Sequence, residues 1–341
     1  MKISRRTRKG YALALAFLLT LPCLVRIRTE AAAAIDTSVK CSLTVSVGSS
    51  DYKEDFNEMS IPVSLYKVAD VDVAGRYTPV APFSQMNLGN IGSTTTADDW
   101  QNLAKEAEEY LPGAEAAAKV TVRKPEGAAK EAEGVFENLD VGMYLVVPEA
   151  SYNADYTVKY EFTPYLTALP TSEYALTGGG SDDWNYDPEI GLKAGGDPQY
   201  GKLNITKVLS NYNETLGRTS FVFQIEGKDE TGAVVYSEVV STTHEGAGSE
   251  TVTLDKIPAG LTVTVTEVYS GASYTVVGPD TDSALIWSDA AVEAGAGEEA
   301  SVTFTNRYDG GNRGGYGVTN HFDSDGNNGW KWDNPTSPVE E

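Results

Sequence analysis

The chain has 341 residues, 49 acidic against 26 basic side chains, two cysteines and two histidines, and a formal net charge of −23 at pH 7. That acidity argues against nucleic acid as a partner, because nothing neutralises phosphates. Two histidines far apart in sequence, His244 and His321, argue against a histidine metal site or a Ser-His-Asp triad. The length exceeds one typical domain and suits two with tails.

The first 34 residues read as a secretory signal peptide. Lys2, Arg5, Arg6, Arg8 and Lys9 form a basic start, GYALALAFLLTLPCLV an apolar core, and AAAA at 31–34 offers small-residue cleavage sites. Cys23 is no lipidation site on this reading, since proline precedes it. Removing residues 1–34 takes away seven basic residues and one acidic residue, so the mature chain carries 19 − 48 = −29. Such charge suits an exported protein that repels its neighbours. Beyond the signal, no apolar run is long enough to span a bilayer. The mature chain retains one cysteine, Cys41, and so can form no internal disulfide, although the compartment permits one. Cys41 reads as a small buried apolar residue.

Most of the remainder is short alternating runs rich in Val, Thr and Tyr, separated by Gly, Asp, Asn and Pro, which predicts an all-β protein. CSLTVSV, IPVSLYKV, FVFQI, VVYSEVV, TVTLDKI, LTVTVTEVY and SVTFTN all alternate. One helix stands out, in TADDWQNLAKEAEEYL. Trp100, Leu103, Ala104, Ala107 and Leu111 form one stripe, Asp98 and Asp99 lie in the first turn, and Pro112-Gly113 ends it. It is expected as a surface helix packed on a sheet.

A boundary falls near KAGGDPQYGK, and a composition shift follows Tyr308. The expected organisation is a signal peptide (1–34), a first domain (35–195), a second (196–308) and a flexible Gly/Asn/Asp-rich tail (309–341). DSDGNN in the tail resembles the start of a calcium loop, but Asn334 stands where the bidentate Glu belongs, so it reads as a plain loop. The two halves share a spacing. Gly142 and Gly260 each precede a glutamate by seven residues, and those glutamates, Glu149 and Glu267, each precede YTV by seven. This argues for related β topology in both domains.

In the second half, three polar residues fall on apolar faces. Under the period-2 rule Lys207 shares a face with Leu203, Ile205 and Leu209. Glu267 shares one with Leu261, Val263, Val265 and Tyr269, and Asn306 with Val302, Phe304 and Tyr308. A buried unpaired charge costs several kcal/mol, so the three either satisfy one another as an ion pair with an amide partner, lie exposed at strand ends, or react. Burial lowers a lysine pKa and raises a glutamate pKa. A neutral amine is a nucleophile, and a protonated glutamate can polarise an amide and shuttle protons. Held in contact, amine and amide would give a Lys207–Asn306 isopeptide bond with loss of ammonia.

These strands, ITKV, IPAGLTVTVTEVY and VTFTNRY, resemble those carrying Lys, Glu and Asn in collagen-adhesin B-type domains of Gram-positive surface proteins and pilins. The resemblance covers about residues 200–308 and implies that Lys207 and Asn306 are cross-linked with Glu267 as the catalytic acid. Over about 38–195, IPVSLYKVADVD, VFENLDVGMYLVV and YEFTPYLTALP resemble the N-terminal domain of sortase-assembled major pilins. Pilins carry a tryptophan nine residues before the lysine joined to the next subunit, and Trp184 and Lys193 have that spacing in WNYDPEIGLK. The motif departs from the family at Gly191-Leu192, where an aromatic-proline is usual. No first-domain cross-link is expected. CSLTVSV has no lysine on its Cys41–Leu43–Val45–Val47 face, and Ala194 follows Lys193 where an asparagine is usual.

The resemblance implies two tandem immunoglobulin-like or prealbumin-like β-sandwiches, with one surface helix in the first. It also implies a structural subunit of a covalently polymerised cell-surface pilus, stiffened by the isopeptide bond and linked through Lys193 by a sortase. Its partners would be identical subunits, the sortase and host surface ligands, with no cofactor or metal, and no enzyme activity beyond the single autocatalytic turnover. The alternative is a cell-wall-associated adhesin or stalk using the same domains without polymerising. The chain ends at NPTSPVEE without the LPxTG-type signal of such pilins, so it is either truncated or accepts a neighbour without passing on its own C-terminus.

Overall fold

The computed structural model describes residues 34–48, 51–91, 95–127, 130–172, 183–229 and 231–311, and the backbone of 321–324 and 330–333. Residues 1–33 of the signal-peptide reading lie outside these, as does part of DSDGNN. The chain forms two compact units, 1–154 with 159–197, and 155–158 with 198–341. Both are built mainly of strands.

In the first unit, a five-stranded sheet places Ile61–Val71 between Tyr77–Pro79 and Gly142–Pro148, with Tyr165–Leu169 beyond and Ala118–Val122 also pairing Ile61–Val71. Cys41–Ser46 is the middle strand of a second sheet, parallel to Glu189–Gly191 and antiparallel to Glu133–Leu139. Its alternating burial puts Cys41, Leu43 and Val45 inside.

The expected helix is Ala97–Glu109. Thr96 accepts from the Asp99 amide while Asp99 accepts from the Thr96 amide, a capping box that satisfies two end donors. Trp100, Ala104 and Ala107 are buried, in one cluster with Val68, Phe83, Met143 and Leu145. Two further short helices, Lys53–Glu58 and Asp289–Glu293, were not expected. Five or six residues are too few to show a helical period. Lys53–Glu58 is held by Phe56, whose ring packs edge-on to Tyr160 at 5.0 Å.

The second unit is a sandwich of two four-stranded sheets. One runs in the order Gly248–Pro258, Tyr200–Leu209, Ala300–Tyr308, Tyr274–Val277. The other runs Val234–His244, Thr219–Lys228, Thr262–Tyr269, Thr281–Leu285. Strict alternation builds each inner face: Leu203, Ile205 and Leu209 against Phe221, Phe223 and Ile225, with Val263, Val265, Val302 and Phe304. A fully buried phenylalanine contributes roughly 1.5–3 kcal/mol over exposure. The outer faces carry hydroxyl pairs such as Thr206–Thr251 at 2.9 Å and Thr264–Ser283 at 3.2 Å.

The first and last strands of this sandwich, 200–209 and 300–308, are direct neighbours and run parallel. Close approach at the start of the first demands glycine: a Cβ on Gly201 would lie 1.8 Å from the Trp287 carbonyl oxygen. Within the tail, His321–Ser324 pairs antiparallel with Trp330–Asp333, so the segment read as flexible carries one paired element.

Candidate functional site

Lys207, Glu267 and Asn306 meet in the interior of the second unit. Parallel register sets Lys207 opposite Phe304 and Asn306 opposite Leu209. Lys207 and Asn306 are therefore diagonal neighbours on one face of one sheet, within reach of long side chains. Glu267 comes from the facing sheet, where it pairs Phe223 across a register shift. Relative exposures are 0%, 6% and 0% for Lys207, Glu267 and Asn306, which eliminates exposure at strand ends.

Lys207 Nζ donates to both Glu267 carboxylate oxygens at 2.9 Å. Asn306 Nδ2 donates to Glu267 Oε1 at 2.7 Å and to the Ser270 carbonyl at 3.2 Å. Asn306 Oδ1 has no hydrogen-bond partner. One carboxylate oxygen thus contacts both the amine and the amide nitrogen. The ammonium also sits over the Phe221 ring at 4.5 Å and the Phe223 ring at 5.9 Å.

Burial pushes the Lys207 pKa down, opposed by its hydrogen bonds to Glu267. Burial likewise pushes the Glu267 pKa up, opposed first by Lys207. Both shifts make proton transfer from the ammonium to the carboxylate easier than between the two free side chains. The sequence predicts Glu267 both to polarise the amide and to shuttle protons. Here Glu267 contacts both the Lys207 amine and the Asn306 amide nitrogen, while the asparagine oxygen has no partner.

The other predicted residues lie in the first unit. Lys193 follows the 189–191 strand and is half-buried, its Nζ 5.7 Å from the Tyr165 ring centroid and its carbonyl accepting from the Thr163 amide at 3.1 Å. Burial lowers its pKa. Trp184 is on the two-residue strand Trp184–Asn185, paired with Thr171–Ser172. Glu149, the repeat counterpart of Glu267, is exposed, and Lys67, the lysine that shares the parity of Ile61, Val63 and Leu65, pairs with Asp70 at 2.6 Å. Among the described residues no group of three or more His, Cys, Asp and Glu could hold a metal ion.

Two neighbours of the site escaped the sequence reading. Phe221 looked like ordinary core, yet it lies against the ammonium. His244 is 3% exposed, at the end of a strand that was read only as VVYSEVV. The signal was there in the continued alternation of Thr242 and His244, both buried.

A family described as a domain of unknown function, DUF5979, matches residues 203–309. No curated protein sequence matches the chain significantly. Among solved structures, the chain is similar to the full-length major pilin SpaD from Corynebacterium diphtheriae, at 12% identity over 81% of this chain and 99% of that one, with a TM-score of 0.26. The minor pilin GBS52 of Streptococcus agalactiae gives 12% identity over 79% and 96%, with a TM-score of 0.24. The basal pilin SpaE of Lactobacillus rhamnosus GG gives 10% over 78% and 99%, with a TM-score of 0.31.

Proposed function

We propose that the chain is a structural subunit of a covalently polymerised cell-surface pilus, exported by its signal peptide and stiffened by an autocatalytic Lys207–Asn306 isopeptide bond. The observation that carries this reading is the buried contact of Lys207, Glu267 and Asn306 around one carboxylate. A buried ion pair contributes little net stability. The same three groups suit a reaction for which amine, amide and proton carrier are already in place.

The chemistry balances within the site. Lys207 passes a proton to Glu267, and the free amine attacks Asn306 Cγ. Nζ–Cγ forms, Cγ–Nδ2 breaks, and the nitrogen leaves as ammonia, taking the second amine proton by way of Glu267. Glu267 ends as a carboxylic acid, and no external enzyme or cofactor enters.

Lys193 is the residue through which a sortase would attach the next subunit. Its amine is held beside an aromatic ring and is easier to deprotonate than a free lysine. Immunoblots of boiled cell-wall extracts test this part. Wild-type chain should give a ladder of multimers and Lys193→Ala only monomer. An unchanged ladder in the variant would eliminate Lys193.

A further inference from the structure

His244 lies against the proposed cross-link and has no part in it as described so far. Its imidazole is almost fully buried, its Nε2 lacks a hydrogen-bond partner, and its ring meets Phe221 edge-on, with centroids 5.4 Å apart at 87°. Phe221 carries the Lys207 ammonium over its own ring at 4.5 Å. One aromatic ring thus contacts both the histidine and the lysine that would lose its charge on reacting.

Lys207 reaches Phe221 from the 200–209 strand, with Glu267 behind it, and Glu250 stands opposite Lys207 on the 248–258 strand. The turn supplies a backbone hydrogen bond at Gly246. The exposed Arg218–Glu245 pair, 3.1 Å apart, is a mutually neutralised neighbour, and the Tyr274 ring packs on Phe221 at 5.9 Å. Burial holds the imidazole below the ordinary histidine value, Glu250 opposes this, and the Lys207 cation adds to the depression.

We propose that His244 is proton-coupled to the reaction at Lys207: forming the bond removes the cation behind Phe221 and lets His244 take up a proton more readily, so mild acid favours the cross-linked chain over the unlinked one. This rests on the isopeptide reading above. Coupling between two sites is reciprocal, so whatever bond formation does to proton affinity at His244, a proton at His244 does to bond formation. The bond consumes the Lys207–Glu267 ion pair and returns a neutral amide and a neutral acid. Lys207 is the member of that pair on the Phe221 ring, so the net change felt by the imidazole is loss of positive charge. His244 acts here as a positioning residue for charge and does not touch the reacting carbonyl.

The test is an NMR titration of the mature chain against Asn306→Ala, which keeps Lys207 and Glu267 but cannot form the bond. Asn306→Ser serves if the alanine variant does not fold. His244→Gln identifies the imidazole signal against that of His321. His244 should titrate higher in the wild type than in Asn306→Ala, the direction expected on loss of a cation beyond one ring. Loss of ammonia with equal titration in both chains overturns the coupling alone. A wild-type chain that never loses ammonia overturns the isopeptide reading and this inference with it.

Discussion

Lys207 and Asn306 stand two register steps apart on the adjacent parallel strands 200–209 and 300–308, bridged by Glu267 from the facing sheet. The two strands hold the beginning and the end of the sandwich. Both residues lie toward the C-terminal ends of their strands, so a bond between them leaves the whole 200–207 stretch in line with the exit at Tyr308. Tension entering at Tyr200 would pass from Lys207 straight to Asn306. The intervening 306 − 207 − 1 = 98 residues would lie outside the load path.

Force spectroscopy checks that load path. The cross-linked second unit should show no unfolding extension from those residues. Asn306→Ala should add about 300 Å, the contour length of roughly a hundred residues. Equal extension in both chains would mean that the load does not bypass the sandwich.

Glu267→Gln should stop the reaction while keeping the shape of the site, because the amide can neither take the Lys207 proton nor deliver it to the leaving nitrogen. The chain would stay at full mass. Thermal unfolding should show the second unit destabilised by about 4–5 kcal/mol, by analogy with the loop entropy of a cross-link closing about a hundred residues. A Glu267→Gln chain with wild-type mass loss would remove Glu267 from the mechanism.

The unlinked chain should be acid-sensitive through His244. Its folded pKa lies below the ordinary 6.5, chiefly through burial, so the unfolded chain binds the proton more readily. The stability this provides is complete above the ordinary histidine value and is lost as pH falls through that value toward the folded one. Asn306→Ala should lose stability in denaturant melts over this interval, and Asn306→Ala/His244→Gln should lose less. Identical pH profiles for the two would contradict the assignment to His244.

Cys41 should be inert in the native chain. It is 2% exposed, and burial, with Asp187 and Asp140 adding, pushes its thiol up to about 11. A thiol reagent at neutral pH should label it only on unfolding. Fast stoichiometric labelling of folded protein would show an accessible thiolate instead.

Thr96→Ala should cost the first unit about 1 kcal/mol by removing the hydroxyl half of the capping box. Asp99→Ala should act similarly. Loss of signal at 222 nm together with a lower melting temperature would register it, and an unchanged melt would show that packing of Trp100 alone holds the helix.

What the sequence made legible follows from its periodicities. Lys207, Glu267 and Asn306 were visible because a period of two makes one polar residue on an apolar face conspicuous. The helix at 97–109 was visible because its stripe and its acidic first turn agree. Adjacency of the first and last strands was invisible, since alternation says which face a residue takes and nothing about which strand lies beside it. His244 was missed because beyond Val240 the inward face continues only through polar residues, Thr242 and His244. The 53–58 helix was missed because its one buried anchor, Phe56, gives no repeat to detect.

Intact mass of the purified mature chain tests the central claim most directly. A Lys207–Asn306 bond predicts a mass about 17 Da below that calculated from sequence, one ammonia, with full mass restored in Asn306→Ala. A wild-type chain at its full calculated mass would contradict the bond. A loss twice as large would place a second cross-link in the first unit, where Lys67 pairs with Asp70 and Glu149 is exposed.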